Sequence, residues 1–265
     1  MVSDTNFGGG TLPGARCPSS IMKVARLSCR PGAKRCFRSA PGLDQLAACL
    51  DPEQRGALGY LLAVMAQGER IAMEGAGLQA RIAPDRAGRH FFRQQVRQER
   101  FHAVVFAGAA ALLSAGHREW PCRYSQLPPA LVAWRAQIVD ATARGRLAES
   151  LLVQQVFLEG FGHVLLHRFG ACLTNPDERW SRLHRLILGQ EAQHHRVGLQ
   201  LLDRELHRVP AAYPRLERIG RSLFGQAEQL LANLAQAFEA LDWQNSDAVA
   251  ELRAGLPAGV PGAAA

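Results

Sequence analysis

From residue 51 onward apolar residues recur every three or four positions, which is the signature of helices packed along one face. Leu58, Leu61, Leu62, Met65, Ile71 and Met73 draw the first stripe, behind Asp51 and Pro52, an N-cap acid followed by proline at the first helical position. A helix is predicted over about 52–82. Pro84 and Asp85 break the pattern, and a second stripe runs through Phe91, Phe92, Val96, Phe101, Val104, Val105 and Leu112 to the neighbourhood of Gly116. His117 to Pro129 holds turn residues and reads as a loop. A helical segment resumes near Leu131, bends at Gly145 and continues through Leu151, Val156, Phe161, Leu165 and Phe169. Asn175 and Pro176 repeat the cap signature before a helix through Trp180, Leu183, Leu186, Ile187, Val197 and Leu201 to about His207. Pro214 opens a last amphipathic helix ending near Leu241, followed by a short helical turn. Strand-period alternation is essentially absent. The pattern predicts an all-α fold: a four-helix bundle with a long crossover and an additional C-terminal helix.

Residues 1–40 are rich in Gly, Pro, Ser, Cys and basic residues without periodicity, and are expected to form a disordered or loosely attached tail, with Met22 as an alternative start. The helical domain is expected over 41–245 and a C-terminal tail over 246–265. Six cysteines show no C-x-x-C pair, so free thiols in a reducing compartment are expected. No run of about 18 apolar residues is present to span a bilayer, and the chain reads as soluble and cytoplasmic. The net charge of +8 comes almost wholly from arginine. Those arginines are scattered among acids along helices without interleaved aromatics, which argues against specific nucleic-acid binding and suits a solvated surface or an acidic electron-transfer partner.

Chemistry enters with two Glu-x-x-His pairs, Glu99/His102 and Glu191/His194. Residues three apart share a helix face, so each pair presents a carboxylate and an imidazole together. Glu69 precedes Glu99 by 30 residues with Pro84 at the midpoint, and Glu159 precedes Glu191 by 32 with Asn175 at the midpoint. In an antiparallel hairpin, residues equidistant from the turn lie at one height, here about 22 Å along each helix. Both hairpins therefore offer the same ligands at mid-height. The flanking same-face positions are apolar, so the four carboxylates point inward, where each unpaired charge would cost several kcal/mol. Two divalent ions would neutralise them. Carboxylate and imidazole without thiolate suit Fe(II) or Mn(II).

This ligand set resembles that of the ferritin-like di-iron carboxylate superfamily, a Glu from each of two helices and Glu-x-x-His from each of the other two. The likeness covers about residues 52–205. Gln190 to Leu199 with Pro210 to Tyr213, and Gln98 to Phe106, look locally like the motifs of the demethoxyubiquinone hydroxylases, whereas the helix around Glu159 departs from them. The resemblance implies two iron ions, with manganese/iron as the other option, held by Glu69, Glu99, His102, Glu159, Glu191 and His194. It also implies an external electron donor, a redox partner protein, O2 and a small-molecule substrate, and is compatible with a homodimer. The function expected is a di-iron oxygenase or hydroxylase, and the alternative is a ferritin-type iron store. A rubrerythrin-like peroxidase lacks its four-cysteine module here. A radical-generating subunit lacks its tyrosine, since Phe106 stands one turn after His102.

Around these six, Gln98 and Gln190 occupy the position where many superfamily members carry Asp, and a glutamine carbonyl can orient the opposite histidine instead. His163, one turn after Glu159, is the candidate catalytic residue, as proton relay, extra ligand or substrate contact. A hydrogen-bonded core histidine is its other reading. His195 is expected behind or outside the ligands, and Glu74 and Glu149 do not fit the mid-height rule. Gly160 and Gly162 either open space beside the metals, permit a local bulge or allow close helix packing.

Overall fold

The computed structural model describes residues 50–113, 128–172, 178–243, 247–256 and 259–262. The expectations for the N-terminal tail and Met22, for most of the loop between His117 and Pro129, and for the Asn175/Pro176 cap lie outside them. Among the described residues every regular element is helical, as the hydrophobic pattern predicts.

The first hairpin pairs α1 (Pro52–Ile82) with α2 (Arg86–Leu113). Asp51 caps α1 through a reciprocal box with Gln54: Gln54 N donates to Asp51 Oδ1 at 2.8 Å, and Asp51 N donates to Gln54 Oε1 at 3.2 Å. Ala83 ends it in extended conformation, as a residue before proline must. Asp85 then accepts from Gly88 N at 2.6 Å, starting α2 at once, and the turn is too short to let the helices diverge.

The second half is built differently. α3 (Pro129–Ala143) ends at Gly145, whose φ of +67° lets Arg146 N reach back to Ala141 O at 2.8 Å. α4 (Leu147–Leu151) leads into a π-helical segment, Leu152–Leu158, closed by Glu159 N donating to Gln154 O five residues back, and α5 (Glu159–Cys172) continues it. Every residue from Leu147 to Phe161 is buried, so this is the central helix, covered on all sides. α6 (Glu178–Arg208) is its antiparallel partner and carries a strongly one-sided apolar stripe.

After a 3₁₀ turn at Pro210–Ala212, α7 (Tyr213–Ala240) lays Leu216, Leu223, Phe224, Leu230, Leu234 and Phe238 against the bundle. Phe224 meets Phe157 edge-on at 4.8 Å. α8 (Ala248–Gly255) buries Ala248, Val249 and Leu252, and Arg168 of α5 pairs with Asp247 and Glu251 at 2.7 and 2.6 Å. Gly262 N donates to Glu217 Oε2 at 2.8 Å, and Gly220 admits the Pro261 carbonyl where a Cβ would stand. Residues 247–256 and 259–262, expected as a tail with a short helical turn, thus pack onto the bundle. Among the described residues no helix is long and apolar enough to cross a membrane.

Candidate metal centre

Glu69 of α1, Glu99 and His102 of α2, Glu159 of α5, and Glu191 and His194 of α6 converge at mid-height. Each is nearly or wholly buried, with Glu69 the most accessible at 8% exposure. Their donor atoms form two groups, Glu69/Glu99/His102/Glu191 and Glu99/Glu159/Glu191/His194, with all donors of a group within 4.8 Å of one another. Glu99 and Glu191 belong to both. Each half-bundle thus contributes one shared carboxylate, one private carboxylate and one imidazole.

Both imidazoles turn Nδ1 inward. His102 Nδ1 lies 2.8 Å from Glu191, 3.0 Å from Glu99 and 3.5 Å from Glu69, and His194 Nδ1 lies 2.9 Å from Glu99 and 3.6 Å from Glu159. Their outer nitrogens are held crosswise by the expected glutamines: His102 Nε2 donates to Gln190 Oε1 at 2.7 Å and His194 Nε2 donates to Gln98 Oε1 at 2.9 Å. Because the glutamine carbonyl only accepts, Nε2 keeps its hydrogen and Nδ1 is freed for the centre. Phe91 closes against the His194 ring at 6.3 Å.

The electrostatics are those of charge crowded without solvent. Burial, reinforced by Glu191, pushes Glu69 well above the ordinary carboxylate range. Burial with Glu99 and Glu159 does the same to Glu191, and burial with Glu99 raises Glu159. Burial also opposes ionisation of Glu99, but the two histidines outweigh it and hold that carboxyl well below its usual value. Burial disfavours the imidazolium forms, yet the surrounding carboxylates win: His102 is raised far above its normal value and His194 is pushed up to about 11. With protons as its only counter-charge, the cluster leaves Glu191 Oε1 and His194 Nδ1 buried without an aligned hydrogen-bond partner. Two shared carboxylates and two imidazoles presenting Nδ1 without well-aligned partners are what a pair of cations would satisfy.

The other singled-out residues fall elsewhere. Glu74 is held bidentately by Arg135 at 2.7 and 2.8 Å, and Glu149 pairs with Arg215 at 2.8 Å. His195 Nδ1 donates to Gln155 O of the π-helical segment at 3.0 Å. His163 joins neither donor group. It is half-buried, its Nδ1 has no hydrogen-bond partner, and burial together with His195 and His167 lowers its pKa. Gly160 serves close packing, since a Cβ there would meet His195 and Leu252 at 2.9 Å, whereas open space surrounds Gly162.

Sequence reasoning missed a set of wholly buried polar side chains beside the cluster: Gln79, Gln95, Ser150, Gln154 and Gln155. The one available signal was Gln154 and Gln155 inside the otherwise apolar run from Leu151 to Leu158.

No family model matches the chain, and no curated protein matches it. Among solved structures it is similar to a protein from Synechococcus with aldehyde deformylating oxidase activity, with a TM-score of 0.63 over 80% of this chain and 97% of that one, at 19% identity. At that identity the likeness establishes the ferritin-like helical fold. Fold and site together define the class as a ferritin-like bundle with a buried carboxylate and histidine cluster that fits two metal ions.

Proposed function

We propose that this protein is an O2-dependent di-iron oxidoreductase of the oxygenase or hydroxylase kind, acting on a small apolar organic molecule. The sharing of Glu99 and Glu191 between two otherwise equivalent donor groups carries the reading. Glu69 and His102 complete one group, and Glu159 and His194 the other. Iron held there would supply reductive activation of O2, with electrons from an external donor such as a redox partner protein.

The chain's own residues prepare the setting. The crossed glutamines fix both imidazoles in one tautomer while adding no charge. Apolar neighbours such as Leu62, Phe92, Phe106, Val156 and Ile187 exclude water and favour an apolar substrate. Glu69, the least buried of the six, stands on the side of the cluster nearest solvent. His163 is largely neutral near pH 7 because its pKa is lowered, so it suits accepting a proton within a turn of Glu159. The activity of the Synechococcus neighbour supports oxidation of an organic compound over iron storage.

The test is anaerobic loading with Fe(II), followed by reduction and O2-uptake measurements with and without apolar aldehydes, alkenes and aromatics. Two ions per chain and substrate-dependent uptake are expected. A hollow oligomer accumulating hundreds of ferric ions would replace this reading with a ferritin-type store.

A further inference from the structure

Beside the cluster runs a buried chain of amides for which the ligand set gives no account. Gln95 Nε2 donates to Glu159 Oε1 at 2.8 Å and to Glu99 Oε1 at 3.0 Å, so one side chain of α2 ties a private carboxylate of the second half to a shared carboxylate of the first. Gln95 Oε1 accepts from Gln155 Nε2 at 2.9 Å. The same Gln155 Nε2 donates to Gln79 Oε1 at 3.0 Å, and Gln79 Nε2 donates to Ser150 Oγ at 2.9 Å. All four of these side chains, Gln79, Gln95, Ser150 and Gln155, are at zero exposure.

The direction of this chain is fixed at its carboxylate end. An ionised carboxylate only accepts, so Gln95 must turn its nitrogen toward Glu99 and Glu159 and its oxygen toward Gln155. Reversing any one amide would oppose oxygen to oxygen or nitrogen to nitrogen without solvent to repair it. Packing alone is a poor reason for three buried glutamines, because apolar side chains of similar volume fill such space without desolvation cost. What the glutamines uniquely supply is a neutral donor with two N–H groups held at a fixed angle between two carboxylates that repel each other.

We infer that Gln95 is a positioning residue of the metal centre: it sets the spacing and orientation of Glu99 and Glu159 for cations, and Gln155 and Gln79 lock the direction of its amide. The inference rests on the two-metal reading above. Its signature is a graded loss along the chain, strongest at Gln95 and fading with distance from the carboxylates.

The test measures binding of Mn(II) to the metal-free full-length chain by chelator competition, and the EPR line shape of the loaded protein, for wild type, Gln95→Leu, Gln95→Asn, Gln155→Leu and Gln79→Leu. Gln95→Leu removes both donors, and Gln95→Asn keeps the amide but withdraws it by one carbon, so either serves if the other fails to fold. Affinity about tenfold weaker with an altered line shape is expected for the Gln95 variants. A smaller loss is expected for Gln155→Leu and the smallest for Gln79→Leu. Wild-type affinity and line shape in both Gln95 variants, or equal losses along the whole chain, would overturn the positioning role while leaving the metal reading intact. Failure of the wild type to bind Mn(II) or Fe(II) at all would remove the metal reading, and this inference with it.

Discussion

The two halves of the bundle present the same carboxylate and imidazole groups from unlike scaffolds. The first is a hairpin of two uninterrupted helices of 31 and 28 residues joined by a tight turn. The second reaches its Glu159 through a glycine corner at 145, a five-residue helix and a π-helical turn. In the first half, regular geometry alone brings Glu69 opposite Glu99. In the second, the extra residue of the π-helical turn resets the face of the helix immediately before Glu159, and it turns both Gln154 and Gln155 inward, the first donating to Ala72 O and the second to Gln79 and Gln95. The symmetry belongs to the donor atoms and not to the backbone. Contacts too close for a side chain seat the π-helical segment against both halves: Gly75 of α1 faces Gln154 from the regular half, and Gly198 of α6 faces Gln155 from within the irregular one, where a Cβ would collide.

The largest effect that would break this symmetry is loss of the shared ligands. Glu99→Ala with Glu191→Ala should abolish loading of both ions, and metal analysis showing full occupancy would refute the centre. Removing the private ligands of one half, either Glu69 with His102 or Glu159 with His194, should leave about one ion per chain. If both pairs abolished all loading, the two groups would be one site.

Next in size is the fit of the π-helical segment. Gly198→Ala drives a methyl into Gln155 beside the backbone and should cost about 1–3 kcal/mol in denaturant unfolding. Gly162→Ala, in open space inside α5, should stabilise by about 0.5–1 kcal/mol through helix propensity. Equal values would mean that the segment does not depend on that approach.

In the metal-free protein both ligand histidines have raised pKa values, His194 near 11, so both carry protons at neutral pH and their stabilising contribution fades only as pH climbs through those values. Metal must displace these protons and those that burial keeps on the raised carboxyls, so affinity should weaken as pH falls, and loading at pH 7 should release at least about two protons per chain. A pH indicator in weakly buffered solution measures this. Loading with no proton release would show that the histidines are not ligands. The smallest effect expected is for His163→Gln, with turnover lowered a few-fold and metal content unchanged. Unchanged turnover would return His163 to the core.

How much of this was legible in the chain follows the same division. Glu99 with His102 and Glu191 with His194 were readable because a spacing of three on a regular helix fixes a common face, and Pro84 at the midpoint fixed the height of Glu69. Gln98 and Gln190 were readable from their position beside the ligands. Gly145 announced its own break. The π-helical turn was not readable, because Leu151 to Leu158 is apolar except for Gln154 and Gln155 and carries no helical periodicity to violate. With that turn hidden, the inward direction of Gln154 and Gln155 was hidden too. Gln79 and Gln95 carry no mark in the sequence, since only tertiary contact distinguishes a buried amide from a solvated one.

The crossed pairs between His102 and Gln190, and between His194 and Gln98, bear on how the molecule breathes. Each helix holds the ring that the other supplies, so α2 and α6 cannot part at mid-height without releasing both rings together. In hydrogen-exchange terms, the amides around residues 98–102 and 190–194 belong to one opening unit whose protection rises and falls as a block, while the ends of the same helices fray independently.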